Sequence, residues 1–149
     1  MTIQQLHVDI ENEPGRLYSI TEALAKAGVN IRALTVVDRD GYGTARMLVS
    51  NVKKAREVVL ALDAQARTDE VVVVEIPDRP GSLASMLEPL YDSYLNVRYL
   101  EAFADIDGRA VAIMKFDDNA AAEEILRSNG HVPLTPEELF PAPASSEDV

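Results

Sequence analysis

At 149 residues, 47% of them hydrophobic, the chain can form one average domain or two small ones. It has no cysteine, so disulfides and thiolate metal sites are excluded. The net charge of -11 is concentrated beyond residue 68, where 5 Lys and Arg stand against 17 Asp and Glu, while residues 1–68 carry 9 against 8; that acidity repels phosphate backbones and counts against nucleic acid as a partner.

Met1 to Gln5 lacks the basic region and apolar run of a secretory signal, and no apolar segment approaches the roughly 18 residues of a membrane span. The expectation is a cytoplasmic chain with no membrane partner. Leu6, Val8 and Ile10 alternate with polar residues and predict a half-buried strand. After a corner at Asn12 to Gly15, Leu17, Ile20, Leu24 and Ala27 recur at helical spacing on one face, and Gly28 supplies a stop. Asn30 to Val37 suits a second strand. Asp40-Gly41 turns the chain, and Ala45, Met47 and Val49 form a third. Ser50 or Asn51 can cap a helix with apolar Ala55, Val58, Val59 and Leu62, and Gln65 to Thr68 suits a short fourth strand.

The same order then repeats. Val8-Asp9-Ile10-Glu11-Asn12-Glu13-Pro14-Gly15-Arg16-Leu17 and Val74-Glu75-Ile76-Pro77-Asp78-Arg79-Pro80-Gly81-Ser82-Leu83 match in residue type at an offset of 66. The offset carries Leu24 to Leu90, Asn30 to Asn96, Arg32 to Arg98, Ala55 to Ala121 and Leu60 to Leu126. Val71 to Ile76 reads as a strand buried on both faces. Helix residues Leu83, Met86, Leu87, Leu90 and Tyr94 follow, with Pro89 inside the helix expected to kink it or to remove a backbone hydrogen bond. Next come a strand from Asn96 to Ala104, the Asp107-Gly108 turn, a strand from Ala110 to Phe116 and a helix capped by Asp117 or Asp118. The turn is displaced by one residue between the copies, so an inserted residue or bulge is expected there. His131 to Leu134 suits a short edge strand. Thr135-Pro136-Glu137-Glu138-Leu139 reads as one capped helical turn, and the Pro, Ala, Ser and acidic tail beyond it as disordered.

The expected architecture is therefore α+β, two tandem ferredoxin-like βαββαβ modules with antiparallel sheets side by side and helices on one face. Their bounds are residues 1–68 and 69–136, with a tail over 137–149. Modules this small bury barely enough surface to stand alone, and their exposed sheet edges predict a homodimer.

A Pro-Gly at a strand-to-helix junction fixes φ at one residue and frees it at the next, leaving the first helix amides exposed to receive a carboxylate. Strand, Asp78-Arg79-Pro80-Gly81-Ser82-Leu83, amphipathic helix and Asn96-Val97 together resemble the ACT domain family of amino-acid-sensing regulatory modules. The first module matches through Asn12-Glu13-Pro14-Gly15-Arg16-Leu17 and Asn30-Ile31. The resemblance spans about residues 3 to 135 and is to stand-alone proteins of two tandem ACT domains, with no catalytic domain attached.

That resemblance implies an eight-stranded sheet and an amino acid held where two modules meet. It also implies that the backbone of Gly15 to Leu17 and Gly81 to Leu83 receives the ligand carboxylate. Asn12, Asp78, Asn30 and Asn96 are candidates for the ammonium or for fixing the loop. Asn12-Glu13 and Arg16 stand where the second module has Asp78-Arg79 and Ser82, so the two sites are not equivalent. Walls of Leu, Val, Ile and Ala would favour branched-chain or aromatic ligands.

Enzyme chemistry finds little support. His7 and His131 occupy unmatched positions without a nucleophile and orienting acid, no spacing suits a metal, and no Walker or dinucleotide glycine pattern is present. No cofactor is expected. The sequence thus points to a non-catalytic sensor of a free amino acid that regulates a partner enzyme or pathway of amino-acid metabolism. A subunit that docks to a biosynthetic enzyme without a ligand of its own is the alternative. An acylphosphatase-like enzyme sharing the fold is a third class.

Overall fold

The computed structural model describes residues 2–11, 13–104 and 107–141. The chain divides into two compact units, one of Gln4–Asp69 and one of Glu70–Val149 with Met1–Ile3. The first is built from β1 (Ile3–Glu11), α1 (Arg16–Lys26), β2 (Ile31–Arg39), β3 (Tyr42–Val49), α2 (Val52–Ala61) and the start of β4 (Gln65–Pro77), with strand order β2-β3-β1-β4. The second uses the rest of β4, then α3 (Ser82–Asp92), β5 (Val97–Ala104), β6 (Arg109–Phe116), α4 (Asn119–Ser128) and the single turn α5 (Pro136–Leu139), with strand order β4-β6-β5. The described strand pairs β1·β3, β2·β3, β4·β6 and β5·β6 are antiparallel.

Each unit has its own core, assembled from the predicted stripes. Leu6, Val8 and Ile10 of β1 pack with Ile20 and Leu24 of α1 and Ala55 and Val59 of α2. Val72, Val74 and Ile76 of β4 pack with Met86 and Leu90 of α3 and Ala122 and Leu126 of α4. Each such leucine taken fully out of water contributes about 1.5–3 kcal/mol, which is where the stability of units this small resides. Asn51 caps α2 by accepting from the Lys54 amide at 3.0 Å, and Asp118 caps α4 by accepting from Ala121 at 3.0 Å. α5 carries the full reciprocal box between Thr135 and Glu138.

Four expectations need correction. The Gln65–Thr68 and Val71–Ile76 strands are one 13-residue strand, β4, because Asp69 and Glu70 continue the extended backbone. Residues 131–134 form only a bridge, Pro133 to Val74, with the Leu134 amide donating to the Val73 carbonyl at 2.7 Å; Pro133 has no amide to extend a ladder. Six strands are thus described where the resemblance implies eight. Tyr94 is not a helical core residue: α3 ends at Asp92, and Tyr94 is 95% exposed with φ 56°. Finally, β1 is not simply half-buried, since Gln5 and His7 on its polar face are both buried.

Tyr94 in fact stands at the position of Gly28, φ 72°, and both form the left-handed residue that closes a helix. Behind them the Val29 amide donates to Leu24 and the Leu95 amide to Leu90, at 2.9 and 3.1 Å. Helix α3 continues past Pro89 to Asp92.

The hairpin registers locate the inserted residue. Asp38 pairs with Gly43 and Ala104 with Ala110, and Gly41 and Gly108 both have positive φ, so the extra residue lies between Ala104 and Gly108. Bulges at Ile31/Ala33 and Val97/Tyr99 are matched and do not cause it. Beyond the turn the offset is 67: Asn51 matches Asp118, Ala55 matches Ala122 and Val59 matches Leu126, replacing the Ala55–Ala121 and Leu60–Leu126 pairs.

Candidate functional site

The two corners have nearly the same backbone. Gly15 has φ 86° and ψ -9°, Gly81 φ 88° and ψ -12°, and each is the N-cap of its helix without a side-chain cap. A Cβ at either glycine would meet nothing within 4 Å, so glycine is required by the left-handed backbone and not by crowding. In the first corner the Glu13 amide donates to Glu11 at 2.9 Å and the Arg16 amide to Glu13 at 3.2 Å. Arg79 to Pro77 at 3.0 Å and Ser82 to Arg79 at 3.2 Å repeat those bonds. The next amides, of Leu17 and Tyr18 and of Leu83 and Ala84, find no protein acceptor among the described residues. Two amide donors per helix are therefore without a protein acceptor among the described residues, at the positive end of the helix dipole.

The other expected site residues are placed as follows. Glu13, Pro14, Arg79 and Pro80 are exposed, whereas Leu17 is half-buried and Leu83 packs on its core. The Asp78 amide donates to the Gly108 carbonyl at 2.9 Å, tying the second corner to the β5–β6 turn while its side chain stays exposed. Asn12 lies outside the described residues. Asn30 donates from its amide to Ser50 Oγ and accepts from the Ser50 amide, both at 2.9 Å. The Asn96 carbonyl accepts from Asp117 at 3.2 Å. Ile31 and Val97 open β2 and β5 and are half-buried against the two cores. Asn30 and Asn96 therefore sit at the far end of an 11-residue helix from their own glycine, about 16 Å away at 1.5 Å per residue. No single module brings its Asn and its Pro-Gly together.

Beside the first corner the first unit has a cleft of about 820 Å³, and among the described residues Arg16 is the one expected site residue that lines it. Arg39, Arg46 and Arg67 supply three more guanidiniums, while Asp9, Glu11 and Asp63 supply carboxylates. These residues converge because β1 ends, the β2–β3 hairpin turns and α2 meets β4 at the same end of the unit. Arg16 Nη2 donates to the Leu62 carbonyl at 2.8 Å. Arg67 Nη2 donates to Nδ1 of buried His7 at 3.2 Å, which leaves Nε2 of that ring to donate to Gln5 Oε1 at 3.1 Å. His7 Nε2 also lies 3.5 Å from Asp69 Oδ2, and Arg67 Nη1 4.0 Å from Asp9 Oδ1. Thr44 Oγ1 donates to Asp9 at 3.2 Å. The cleft wall thus sets charged side chains beside the apolar Ile10, Val37, Tyr42 and Leu62. Among the described residues no cluster of His, Cys, Asp and Glu could hold a metal ion.

Sequence reasoning missed every cleft residue but Arg16, because the guanidiniums are 7 to 28 residues apart and meet only through strand pairing. The usable signal was the predicted β2–β3 hairpin, which places Thr35 across from Arg46 and Val37 across from Thr44.

A family model described as "ACT domain pair" matches residues 1–139. The chain belongs to the ACT domain pair family. Among solved structures it is similar to a protein from Bacteroides thetaiotaomicron, 27% identical, with TM-score 0.89 over 95% of this chain and 98% of that one. It also resembles the regulatory subunit of aspartate kinase from Thermus thermophilus in its ligand-free form, 18% identical, TM-score 0.65, over 87% and 93% of the two chains. The corresponding subunit from Thermus flavus gives 19% and 0.60 over 87% and 92%. A comparison with curated proteins finds no match. One family model thus spans the region in which two ACT modules are expected from the sequence, and the Thermus likenesses support the fold. No described helix is long and apolar enough to cross a membrane.

Proposed function

We propose that this ACT pair is a non-catalytic sensor that binds a free amino acid and regulates a partner enzyme or pathway of amino-acid metabolism. The observation that carries the reading is the duplicated corner: two left-handed glycines, each followed by a helix whose second and third amides have no protein acceptor among the described residues. A carboxylate supplies two acceptors and a negative charge at a helix N-terminus, matching both the donors and the dipole. The likeness to regulatory subunits of aspartate kinase supports a regulatory role by fold.

A sensor works by preferring one conformer. Ligand binding shifts the population by the ratio of its affinities for the two states, and couplings of this kind are about 1–3 kcal/mol. The test is the melting temperature of the full chain in a panel of free amino acids. A ligand at 100 times its Kd stabilises the native state by about 2.7 kcal/mol, a shift of several degrees. A panel in which no amino acid raises the melting temperature removes the sensor and leaves a docking subunit without a ligand.

A further inference from the structure

We propose that the cleft of the first unit binds an acidic α-amino acid, its two carboxylates met by guanidiniums and its ammonium by Asp9 and Glu11. This inference rests on the amino-acid reading above, names the ligand class, and assigns the carboxylate contacts in the first unit to guanidiniums in place of the corner amides. It begins with charge. Arg16, Arg39, Arg46 and Arg67 against Asp9, Glu11 and Asp63 leave a surplus of one positive charge, in a chain whose net charge is -11. A ligand with two carboxylates and one ammonium has the complementary surplus and the complementary pattern. An apolar amino acid brings no net charge against that surplus, whereas a simple dicarboxylate meets the three acids with nothing to offer them.

Two of the four donors are held in place before any ligand arrives. The Arg16 guanidinium is fixed by the Leu62 carbonyl at 2.8 Å, and that of Arg67 by His7 at 3.2 Å, itself fixed by Gln5. His7 and Gln5 are buried, so Arg67 is anchored from inside the unit and not from solvent. Ordering these long side chains in advance removes an entropic cost that binding would otherwise meet. The volume of about 820 Å³ admits an amino acid with attendant water and lies within the range of small-molecule clefts.

The duplication provides an internal control. At the offset of 66 before the second hairpin turn and 67 after it, Arg16, Arg46 and Arg67 correspond to Ser82, Ile113 and Leu134. Thr44 corresponds to Val111. The second unit keeps the corner without counterparts of Arg16, Arg46 and Arg67, and its Arg109, at the position of Tyr42, is paired with Glu75 at 2.9 Å, so the four-arginine cleft is a property of the first copy and not of the fold.

The experiment is a calorimetric titration of the full chain with L-glutamate and L-aspartate, set against glutarate, which lacks the ammonium, and L-leucine, which lacks the second carboxylate. At least one acidic amino acid binds saturably, and the two controls bind about tenfold more weakly or worse. Arg39→Gln, at an exposed strand end where folding is not at stake, weakens that binding by about tenfold, as does Arg67→Gln, while Arg127→Gln on α4 leaves it unchanged. Raising salt weakens it further. Binding of L-leucine at or above the strength of the acidic amino acids overturns the ligand class and leaves the sensor standing. Acidic binding that is equal in Arg39→Gln, Arg67→Gln and the unaltered chain overturns the cleft as its site. Absence of binding by both acidic amino acids overturns this proposal, and the sensor falls with it only when the wider panel of free amino acids also leaves the melting temperature unchanged.

Discussion

The guanidinium of Arg16, the first residue of α1, donates at 2.8 Å to the carbonyl of Leu62, the residue that closes α2. A cation at a helix C-terminus meets both an otherwise unused carbonyl and the negative end of the dipole. Ser82, at the matching position of α3, has no side chain long enough to do the same. Arg16→Ser is therefore expected to cost about 1 kcal/mol in urea unfolding, because the bond is charge-assisted but only part-buried. It should also weaken ligand binding at the cleft. Ser82→Ala, in contrast, should leave stability within about 0.5 kcal/mol of the parent.

Tyr94 holds φ 56° at the C-terminus of α3, where the first copy has Gly28 at φ 72°. A non-glycine residue pays about 1–2 kcal/mol for that conformation, and a side chain 95% exposed recovers little of it by packing. Tyr94→Gly is expected to stabilise the chain by about 1 kcal/mol, less the greater freedom that glycine gives the unfolded state. Gly28→Ala should destabilise by a similar amount. Urea midpoints measured at unchanged slope check both.

These residues also show what was readable in the chain. Leu6, Val8, Ile10, Leu24, Leu90, Met47 and Met114 lie at strand or helix spacings that mark their buried faces, and the two cores are built from those faces. Asp69-Glu70 lies between the two strands expected from the sequence, yet the extended backbone of β4 runs through it. The extra residue before Gly108 was visible as a displaced turn, yet its consequence, a change of offset for every later match, needed the caps at Asn51 and Asp118 to fix it. The corners were legible because glycine answers to φ at its own position. The cleft was not, because four arginines on separate elements have no shared spacing.

Leu24 and Leu90 occupy matched core positions and are almost wholly buried. Leu24→Ala and Leu90→Ala should each cost about 2–5 kcal/mol, the transfer of the lost methyl groups plus the cavity left behind. In units of this size that is a large share of total stability. A loss under 1 kcal/mol by denaturant unfolding, for either variant, would contradict the cores described here.

On the outer face of α1, Lys26 donates to Glu22 at 2.6 Å, and Tyr18 also hydrogen-bonds to that carboxylate. The Lys26 hydrogen bond, then that of Tyr18, holds the Glu22 carboxyl below its ordinary value, while the bond to Glu22 raises the Tyr18 phenol. The signs follow from which form each partner favours. What Glu22 contributes is present above the usual carboxylate range and lost as pH falls through its lowered value. What Tyr18 contributes is present below the usual phenol range and lost as pH rises through its raised value. Lys26→Met should move the Glu22 titration upward in an NMR pH series, and an unmoved midpoint would remove the pair from any account of this helix.

Gly15 offers the most direct separation of backbone shape from side-chain chemistry. Its φ of 86° is strained for any residue with a Cβ, yet a Cβ there meets nothing within 4 Å. Gly15→Ala should therefore cost about 1–2 kcal/mol through conformation alone. Asparagine tolerates the left-handed region better than alanine, so Gly15→Asn should recover part of that loss. If the Leu17 and Tyr18 amides receive the ligand carboxylate, amino-acid binding must follow the same order, strongest in the parent, intermediate in Gly15→Asn and weakest in Gly15→Ala. Binding indifferent to both substitutions, measured in chains shown to be folded by circular dichroism, would mean that the corner is a turn and nothing more, with the ligand held elsewhere.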